Sequence, residues 1–298
     1  MRMVAFGLAG VGLTLLLNAP TAEAVPITFS GSGSSPAGIQ ATVDAFRTDL
    51  GTLNPNVAGS FGSGRREINW DAVPDAFAAP NLLPANFFNV NSPRGVVFTT
   101  AGTGFQVSAN AVNPANTQVL FGNINSTYPS LFQTFSPQKL FTALGSNMLD
   151  VDFFVPGSTT PALTRGFGSV FTNVTLPNTT SLTFFDANNA SIGTFFAPAV
   201  PGTNQSLSFL GVDFGSDIVS RVLITNGNAV LGPNEGAGVD LVVMDDFVYG
   251  EPISAVPEAS TLMLLAGGLL GFGLMRRGHE RLIARLRAAS RALPLAAR

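Results

Sequence analysis

The chain has 298 residues, no cysteine, one histidine and a formal net charge of −3, so a disulfide framework and thiolate chemistry are excluded. The charge is uneven: residues 25–251 contain seven basic and 15 acidic side chains, whereas residues 276–298 contain seven arginines and one glutamate. The acidic central part argues against nucleic acid as a partner. Because the one histidine, His279, lies in the basic tail, residues 25–251 have no histidine base, His-containing triad or histidine-bound zinc.

The first 24 residues have the pattern of a secretory signal peptide. Arg2 precedes an uncharged run from Val4 to Leu17, and Ala22 and Ala24 flank Glu23 in a small-x-small cleavage site. We therefore expect signal peptidase to cut before Val25 and the protein to be exported.

One helix is predicted at residues 36–50. Ser35 can cap it, Pro36 suits its first turn and Gly51 can end it. Apolar residues recur on one side at Ile39, Val43, Phe46 and Leu50, which predicts an amphipathic helix packed on a larger core.

The remaining pattern predicts many short strands separated by turn residues. The turn of one hairpin is marked by Asp186, Asn188 and Asn189. Since no helices alternate with these strands, we expect an all-β fold over residues 25–251: an antiparallel, jelly-roll-like β-sandwich. The predicted strands are 95–100, 105–109, 148–155, 166–174, 181–185, 206–212, 218–225 and 239–249.

A charged cluster surrounds the one tryptophan. Arg65 and Arg66 precede Trp70 closely, in a segment that resembles a loop or sheet edge. Trp70 is predicted to be either a half-buried core anchor or a ring on which a ligand stacks. If the protein binds a ligand, Arg65, Arg66 and Trp70 are the predicted contacts.

Two pairs of acids suggest an enzyme as an alternative. Asp150 and Asp152 are two positions apart on a predicted strand, so both carboxylates lie on one face and could serve as acid and base. Glu67 and Asp71 form a second candidate pair. Most Asp-x-Asp pairs simply lie on the solvent-exposed face of a strand. We therefore predict no catalytic residues.

Asp245 and Asp246 are adjacent on the last predicted strand, so their side chains are expected on opposite faces. The inward one must be hydrogen-bonded, paired or bound to a cation. With Phe209-Leu210-Gly211-Val212 and Asp245-Asp246-Phe247, the second half of the chain resembles carbohydrate-binding jelly rolls. That resemblance implies a structural Ca²⁺ site at Asp245 and Asp246; the alternative is a hydrogen-bonded edge aspartate.

The chain ends in three consecutive elements. The first is Val256-Pro257-Glu258-Ala259-Ser260-Thr261, the second an apolar run to Met275 and the third Arg276-Arg277. The run of about 17 uncharged residues is at the lower limit for a membrane span, and its flanking arginines favour a transmembrane helix at 259–275 over a buried core helix.

This order resembles the PEP-CTERM sorting signal of exported bacterial proteins. The resemblance implies recognition by an exosortase of a signal at 252–277, although Ala259 replaces the second proline and the basic tail 278–298 is longer than usual. It places the tail in the cytoplasm and the protein at the inner membrane before processing, then in the envelope or outside the cell.

The resemblance also implies a partner, because proteins with this signal are associated with exopolysaccharide production. We expect a non-catalytic envelope or matrix protein that binds exopolysaccharide. The alternatives are an enzyme that cleaves carbohydrate with the acids above and a purely structural matrix protein.

Overall fold

The computed structural model describes residues 25–232, 236–255 and 267–269. Two α-helices lie in the described part of residues 25–255, α1 (Pro36–Leu50) and α2 (Phe87–Val90), with short 3₁₀ turns at Asp75–Phe77 and Tyr128–Ser130. The strands there are β1 (Ile27–Gly33), β2 (Arg65–Ile68), β3 (Val96–Thr99), β4 (Gly104–Val107), β5 (Phe141–Leu144), β6 (Met148–Phe153), β7 (Ala162–Leu163), β8 (Gly166–Thr172), β9 (Ser181–Phe185), β10 (Ser191–Phe196), β11 (Leu207–Asp213), β12 (Arg221–Thr225), β13 (Val243–Gly250) and β14 (Ile253–Ser254).

The strands form antiparallel sheets. Within the described residues, one sheet has seven strands in the order β1-β11-β8-β13-β5-β4, with β2 paired to β13. A second has five, β10-β9-β12-β6-β3, and β14 pairs with β7 in a third, two-stranded sheet. The prediction of a mostly β, antiparallel fold with few helices is confirmed, and each of the eight predicted strands has a counterpart.

Other strands had no predicted counterpart. Strand β1 is rich in glycine and serine, β2 begins with two arginines, and β7 and β14 have two residues each. These segments become strands because a neighbouring strand supplies hydrogen-bond partners, which is a tertiary effect that local pattern does not report.

The main core lies between the two large sheets. Buried phenylalanines of both sheets meet in one cluster, as the excess of phenylalanine over tyrosine and tryptophan predicts. The members include Phe98, Phe153 and Phe184 from the five-stranded sheet and Phe141, Phe167 and Phe247 from the seven-stranded sheet.

Helix α1 covers the other face of the seven-stranded sheet. Its buried residues are the four that the periodicity predicted: Ile39, Val43, Phe46 and Leu50. Gly51 ends the helix at φ 97°, while Ser35 makes no side-chain capping bond. The Phe46 ring fits because the strands beneath it carry glycine at two paired positions, Gly168 and Gly211.

No helix among the described residues is long and apolar enough to cross a membrane. The predicted transmembrane helix at 259–275 lies outside them except for residues 267–269. The predicted signal peptide, 1–24, and basic tail, 278–298, also lie outside the described residues.

We expect Gly168→Ala to destabilise the protein by about 1–3 kcal/mol, because overpacking forces neighbours apart. A Cβ at this position would lie 2.9 Å from Gly211 Cα and 2.9 Å from the Phe46 ring. Urea denaturation measures the change. Gly232→Ala is the matched control, since its Cβ would meet nothing within 4 Å; equal effects of the two changes would contradict this account of how α1 packs.

Candidate functional site

Trp70 is a core residue and offers no surface to a ligand. It is 1 % exposed, its ring stacks on Phe141 with centroids 4.0 Å apart, and Phe88 and Phe247 meet it edge-on. Its indole nitrogen donates to the carbonyl of Asp245 at 2.8 Å. Of the two predicted roles of Trp70, burial favours the core anchor, although the ring is fully rather than half buried. The charged neighbours suggested exposure, but the chain turns inward after β2.

Arg66 is also fully buried, and it binds a partner within the protein. Its Nε and Nη2 donate to the two carboxylate oxygens of Glu251 at 2.6 and 2.8 Å. The same guanidinium donates to backbone carbonyls, at 2.6 Å to Pro55 and 3.1 Å to Gly59. The prediction that Arg66 contacts a ligand is therefore wrong, because its guanidinium is buried and donates to partners within the fold.

Arg65 points to the other side of β2. Its Nε donates to Glu67 at 2.7 Å and its Nη1 to the carbonyl of Gly51. Glu67 also accepts two hydrogen bonds from Arg47 of α1, while Asp71 accepts from the backbone amides of Gln138 and Lys139. Each acid of the Glu67 and Asp71 pair therefore serves a different structural contact.

Glu251, the partner of Arg66, lines a cleft of about 590 Å³. We call it the exit cleft, because the chain leaves the fold through its wall. Its lining residues include Asp49, Thr52, Asn54, Phe61, Arg165, Asp217, Glu251 and Ile253.

The loop of residues 52–64 forms one side of the exit cleft and is hydrogen-bonded to Glu251 and Pro252, which lie between β13 and β14. Asn54 Nδ2 donates to Glu251 Oε2 at 2.8 Å, and the Phe61 amide donates to Glu251 Oε1 at 3.3 Å. Ser60 donates to the carbonyl of Pro252 at 2.5 Å. Gly64 closes the loop at φ 92°, where any Cβ would strike the Thr52 carbonyl.

Phe61 is the aromatic residue of this loop, and its ring is half-exposed. It is 49 % exposed and lines the cleft, while the Arg66 guanidinium lies 5.4 Å from its centroid. The sequence did not single out Phe61, because phenylalanine was assigned to the core. Its neighbours, Gly59, Ser60, Gly62 and Ser63, are the signal that this phenylalanine lies in a surface loop.

On the opposite side of the cleft, acidic side chains surround Arg165. Arg165 donates to both oxygens of buried Asp213, and its Nη2 lies 3.9 Å from Asp49 Oδ2. That buried Oδ2 accepts no hydrogen bond in the part of the chain that the structure describes. Burial and the neighbouring Asp213 raise the pKa of Asp49 to about 6.

Asp245 and Asp246 both point inward, against expectation. The pairing of β13 with β8 shifts register between Met244 and Phe247, and this bulge re-aims the two side chains. Both are buried, and both contact Ser136, whose Oγ donates to Asp246 at 2.7 Å and lies 3.3 Å from Asp245 Oδ1. The prediction of opposite faces is therefore wrong.

The contacts of this pair are those of hydrogen-bonded carboxylates. Asp245 accepts from the amides of Phe135 and Ser136, and Asp246 pairs with Arg47 at 3.1 Å. Burial raises the pKa of both carboxyl groups, that of Asp245 well above its usual range. In the described ranges, no three His, Asp or Glu side chains group so as to hold a metal ion. The carboxylate oxygens that would face a Ca²⁺ ion thus accept hydrogen bonds from N–H donors of the protein.

Asp150 and Asp152 lie on one face of β6, as predicted, with Val151 and Phe153 buried on the other. Arg221, on the paired strand β12, forms an ion pair with Asp150. Asp152 accepts from Thr99 at 3.3 Å, and burial and the nearby Asp150 raise its pKa.

The chain reaches its C-terminal signal directly from the exit cleft. The profile of the PEP-CTERM protein-sorting motif matches residues 255–277, so the motif begins at the residue after β14. The chain therefore carries this motif, which implies export, a membrane-anchored sorting signal and processing by an exosortase. No curated protein matches the chain significantly.

We expect Arg66→Met to cost about 3–5 kcal/mol, because it leaves the Glu251 carboxylate buried and unpaired. The double variant Arg66→Met/Glu251→Leu should recover much of that loss, since neither charge remains. Urea denaturation of all variants gives the free energies of unfolding.

The matched control is Arg221→Met, which breaks the more exposed pair with Asp150 and should cost about 1 kcal/mol. A loss at Arg66 as small as this would show that the buried pair does not organise the region.

The pKa of Asp49 predicts a pH-dependent stability. Because the native state holds this proton more tightly than the unfolded chain does, ionisation of Asp49 destabilises the fold. Relative to Asp49→Asn, the wild type should lose stability as the pH rises from about 4 to above 6, and no more beyond that. Melting temperatures of both proteins across this range measure the difference, which a pH-independent gap would contradict.

Proposed function

We propose that this exported protein is a non-catalytic component of the envelope or extracellular matrix and that its β body binds exopolysaccharide in the exit cleft. The observation that carries the proposal is the exposed Phe61 ring in a cleft whose lining also includes hydroxyl, amide and carboxylate groups. Sugars present an apolar face for stacking and a rim of hydroxyl groups for hydrogen bonds, so such a lining suits them.

The shape of the site supports a polymer as the ligand. The cleft is open to solvent and is lined by residues of the loop 52–64 and of the turn at 215–217, so a segment of polymer can reach it. Its volume of about 590 Å³ is within the range of small-molecule sites. One or two sugar rings would occupy it while the rest of the polymer remained in solvent.

The absence of catalysis is part of the proposal. Residues 25–255 contain neither histidine nor cysteine, and the acids Asp150, Glu67 and Asp71 are engaged in ion pairs or amide contacts. One observation favours the alternative, an enzyme that cleaves carbohydrate: a pKa of about 6 suits Asp49 to the role of general acid. In that alternative Asp49, at the cleft, replaces the acids that the sequence suggested.

The proposal also covers how the protein is processed, where it resides and how its sheets are arranged. Signal peptidase removes residues 1–24, the segment 259–275 spans the inner membrane before processing, and the tail 278–298 lies in the cytoplasm. The body then remains in the envelope or outside the cell. We also assign the two sheets to a jelly-roll-like arrangement, which is supported by the way that β8, β9, β11, β12 and β13 change sheet along the chain.

We expect Phe61→Ala to weaken binding of exopolysaccharide by about tenfold or more, because burying a phenylalanine ring contributes about 1.5–3 kcal/mol. The measurement is titration calorimetry with exopolysaccharide purified from the cells that make the protein. Phe196→Ala is the matched control, since Phe196 is 47 % exposed on β10, outside the cleft.

Two results would oppose this proposal. Absence of binding by the wild type would favour a purely structural matrix protein. Release of reducing ends from the polysaccharide, lost in Asp49→Asn, would establish the enzyme instead.

A further inference from the structure

One arginine of the β body has no carboxylate partner. Residues 25–251 contain seven basic side chains, and acidic side chains outnumber them there. Six of the seven form ion pairs: Arg47, Arg65, Arg66, Lys139, Arg165 and Arg221. Arg94 is the seventh, and it pairs with no acid in the part of the chain that the structure describes.

The guanidinium of Arg94 is only partly satisfied within the fold. Its Nη1 donates to the hydroxyl of Ser92, and the group lies 5.1 Å from the centroid of the Phe88 ring. Its Nε is buried and donates to no group among the described residues. Burial lowers the pKa of Arg94, which is the effect of removing a charge from water without a counter-ion. An anion would remove this cost.

The backbone around Arg94 is held in place. The Arg94 amide donates to the carbonyl of Phe88 at 2.8 Å, and the Arg94 carbonyl accepts from the hydroxyl of Tyr249 at 3.0 Å. Arg66 donates to the carbonyl of Pro93 at 3.1 Å. A group positioned in this way needs little further ordering when it binds a ligand.

Arg94 lines a pocket of about 250 Å³ between the segment that follows β2 and the segment 87–94. We call it the Arg94 pocket. Among its other lining residues, Phe87 and Phe88 are buried, whereas Asn69, Pro74 and Asn91 are exposed. The Arg94 pocket shares no lining residue with the exit cleft, so the two are separate sites.

The lining suits a small sugar with one negative charge. A guanidinium matches the two oxygens of a carboxylate, and a single cation balances a single charge. The amides of Asn69 and Asn91 can both donate and accept, as sugar hydroxyl groups require. The volume is slightly below the range of about 300–1,000 Å³ for small-molecule sites, so it suits one sugar ring.

We propose that the Arg94 pocket binds a uronic acid, with its carboxylate on Arg94 and its hydroxyl groups on Asn69 and Asn91. This second site goes beyond the proposed function, which concerns the exit cleft, and does not depend on it. The acids Asp49 and Asp217 in the exit cleft repel a carboxylate. The Arg94 pocket therefore gives the protein a contact for acidic sugars that the exit cleft disfavours.

The test titrates the full chain with methyl glucuronide and with methyl glucoside, its neutral match, and detects binding by saturation-transfer NMR. The protein is kept in a neutral detergent without a sugar head group. Arg94→Gln removes the charge, whereas Arg94→Lys keeps the charge and loses the planar fork. Phe61→Ala is the control, because it alters the exit cleft alone. The melting temperature of each variant reports its fold.

We expect methyl glucuronide to bind with a Kd of roughly 1 mM, as its small size implies, and methyl glucoside at least tenfold more weakly. Arg94→Gln should weaken glucuronide binding by about tenfold or more and Arg94→Lys by less, since a charge-assisted hydrogen bond is lost. Phe61→Ala should leave glucuronide binding unchanged.

Three results would overturn the proposal: no binding of glucuronide by the wild type, equal binding of the two sugars, or full binding by Arg94→Gln. A fall in the melting temperature of Arg94→Gln as large as that of Arg66→Met would overturn it too, because the guanidinium would then serve the fold. None of these results bears on binding of exopolysaccharide through Phe61, so failure here and failure of the proposed function are distinguishable.

Discussion

The buried ion pair between Arg66 and Glu251 connects the parts of this structure on which the proposed function depends. Removing two charges from water is costly, and the pair is tolerated because almost every donor and acceptor is used. Arg66 also binds the carbonyls of Pro55 and Gly59, and Glu251 also accepts from Asn54 and the Phe61 amide. The geometry of the loop is thus set by the need to satisfy two buried charges.

This constraint joins distant parts of the sequence. Arg66 lies on β2 near the start of the chain, whereas Glu251 follows the long central strand β13 near the end of the fold. The same pairing of β2 with β13 places Trp70 against Phe141 and Phe247 in the main core. Aromatic packing therefore stabilises β13 on its core face. The Arg66–Glu251 pair holds the residues just after β13, from which the chain continues into the sorting motif.

Local pattern was sufficient for much of the fold. The helix at Pro36–Leu50 was predicted to the residue because its apolar period, its proline and its terminal glycine are all local signals. The eight predicted strands were found because their apolar runs and the turn residues between them are also local signals. Strand β2 was missed because Arg65 and Arg66 are uncommon in a strand, and only the partner Glu251 makes one of them compatible with burial.

The site was less predictable, because its residues come together only through the fold. Asp49 lies in α1, whereas Arg165 and Asp217 lie in two separate loops, and no spacing in the sequence relates them. Asp245 and Asp246 were assigned to opposite faces by regular alternation, which the bulge in β13 breaks. The sorting motif, in contrast, was recognised at once, since its proline, apolar run and arginines are contiguous.

Hydrogen exchange in Glu251→Gln measures most directly whether this buried pair organises the exit cleft. The substitution keeps the size of the side chain and removes its charge, so Arg66 loses its counter-ion. We expect the backbone amides of residues 54–64 to exchange about tenfold faster or more, while those of β8 and β11 stay protected. Unchanged protection of that loop, or an equal loss of protection across the whole fold, would contradict the central role of the Arg66–Glu251 pair.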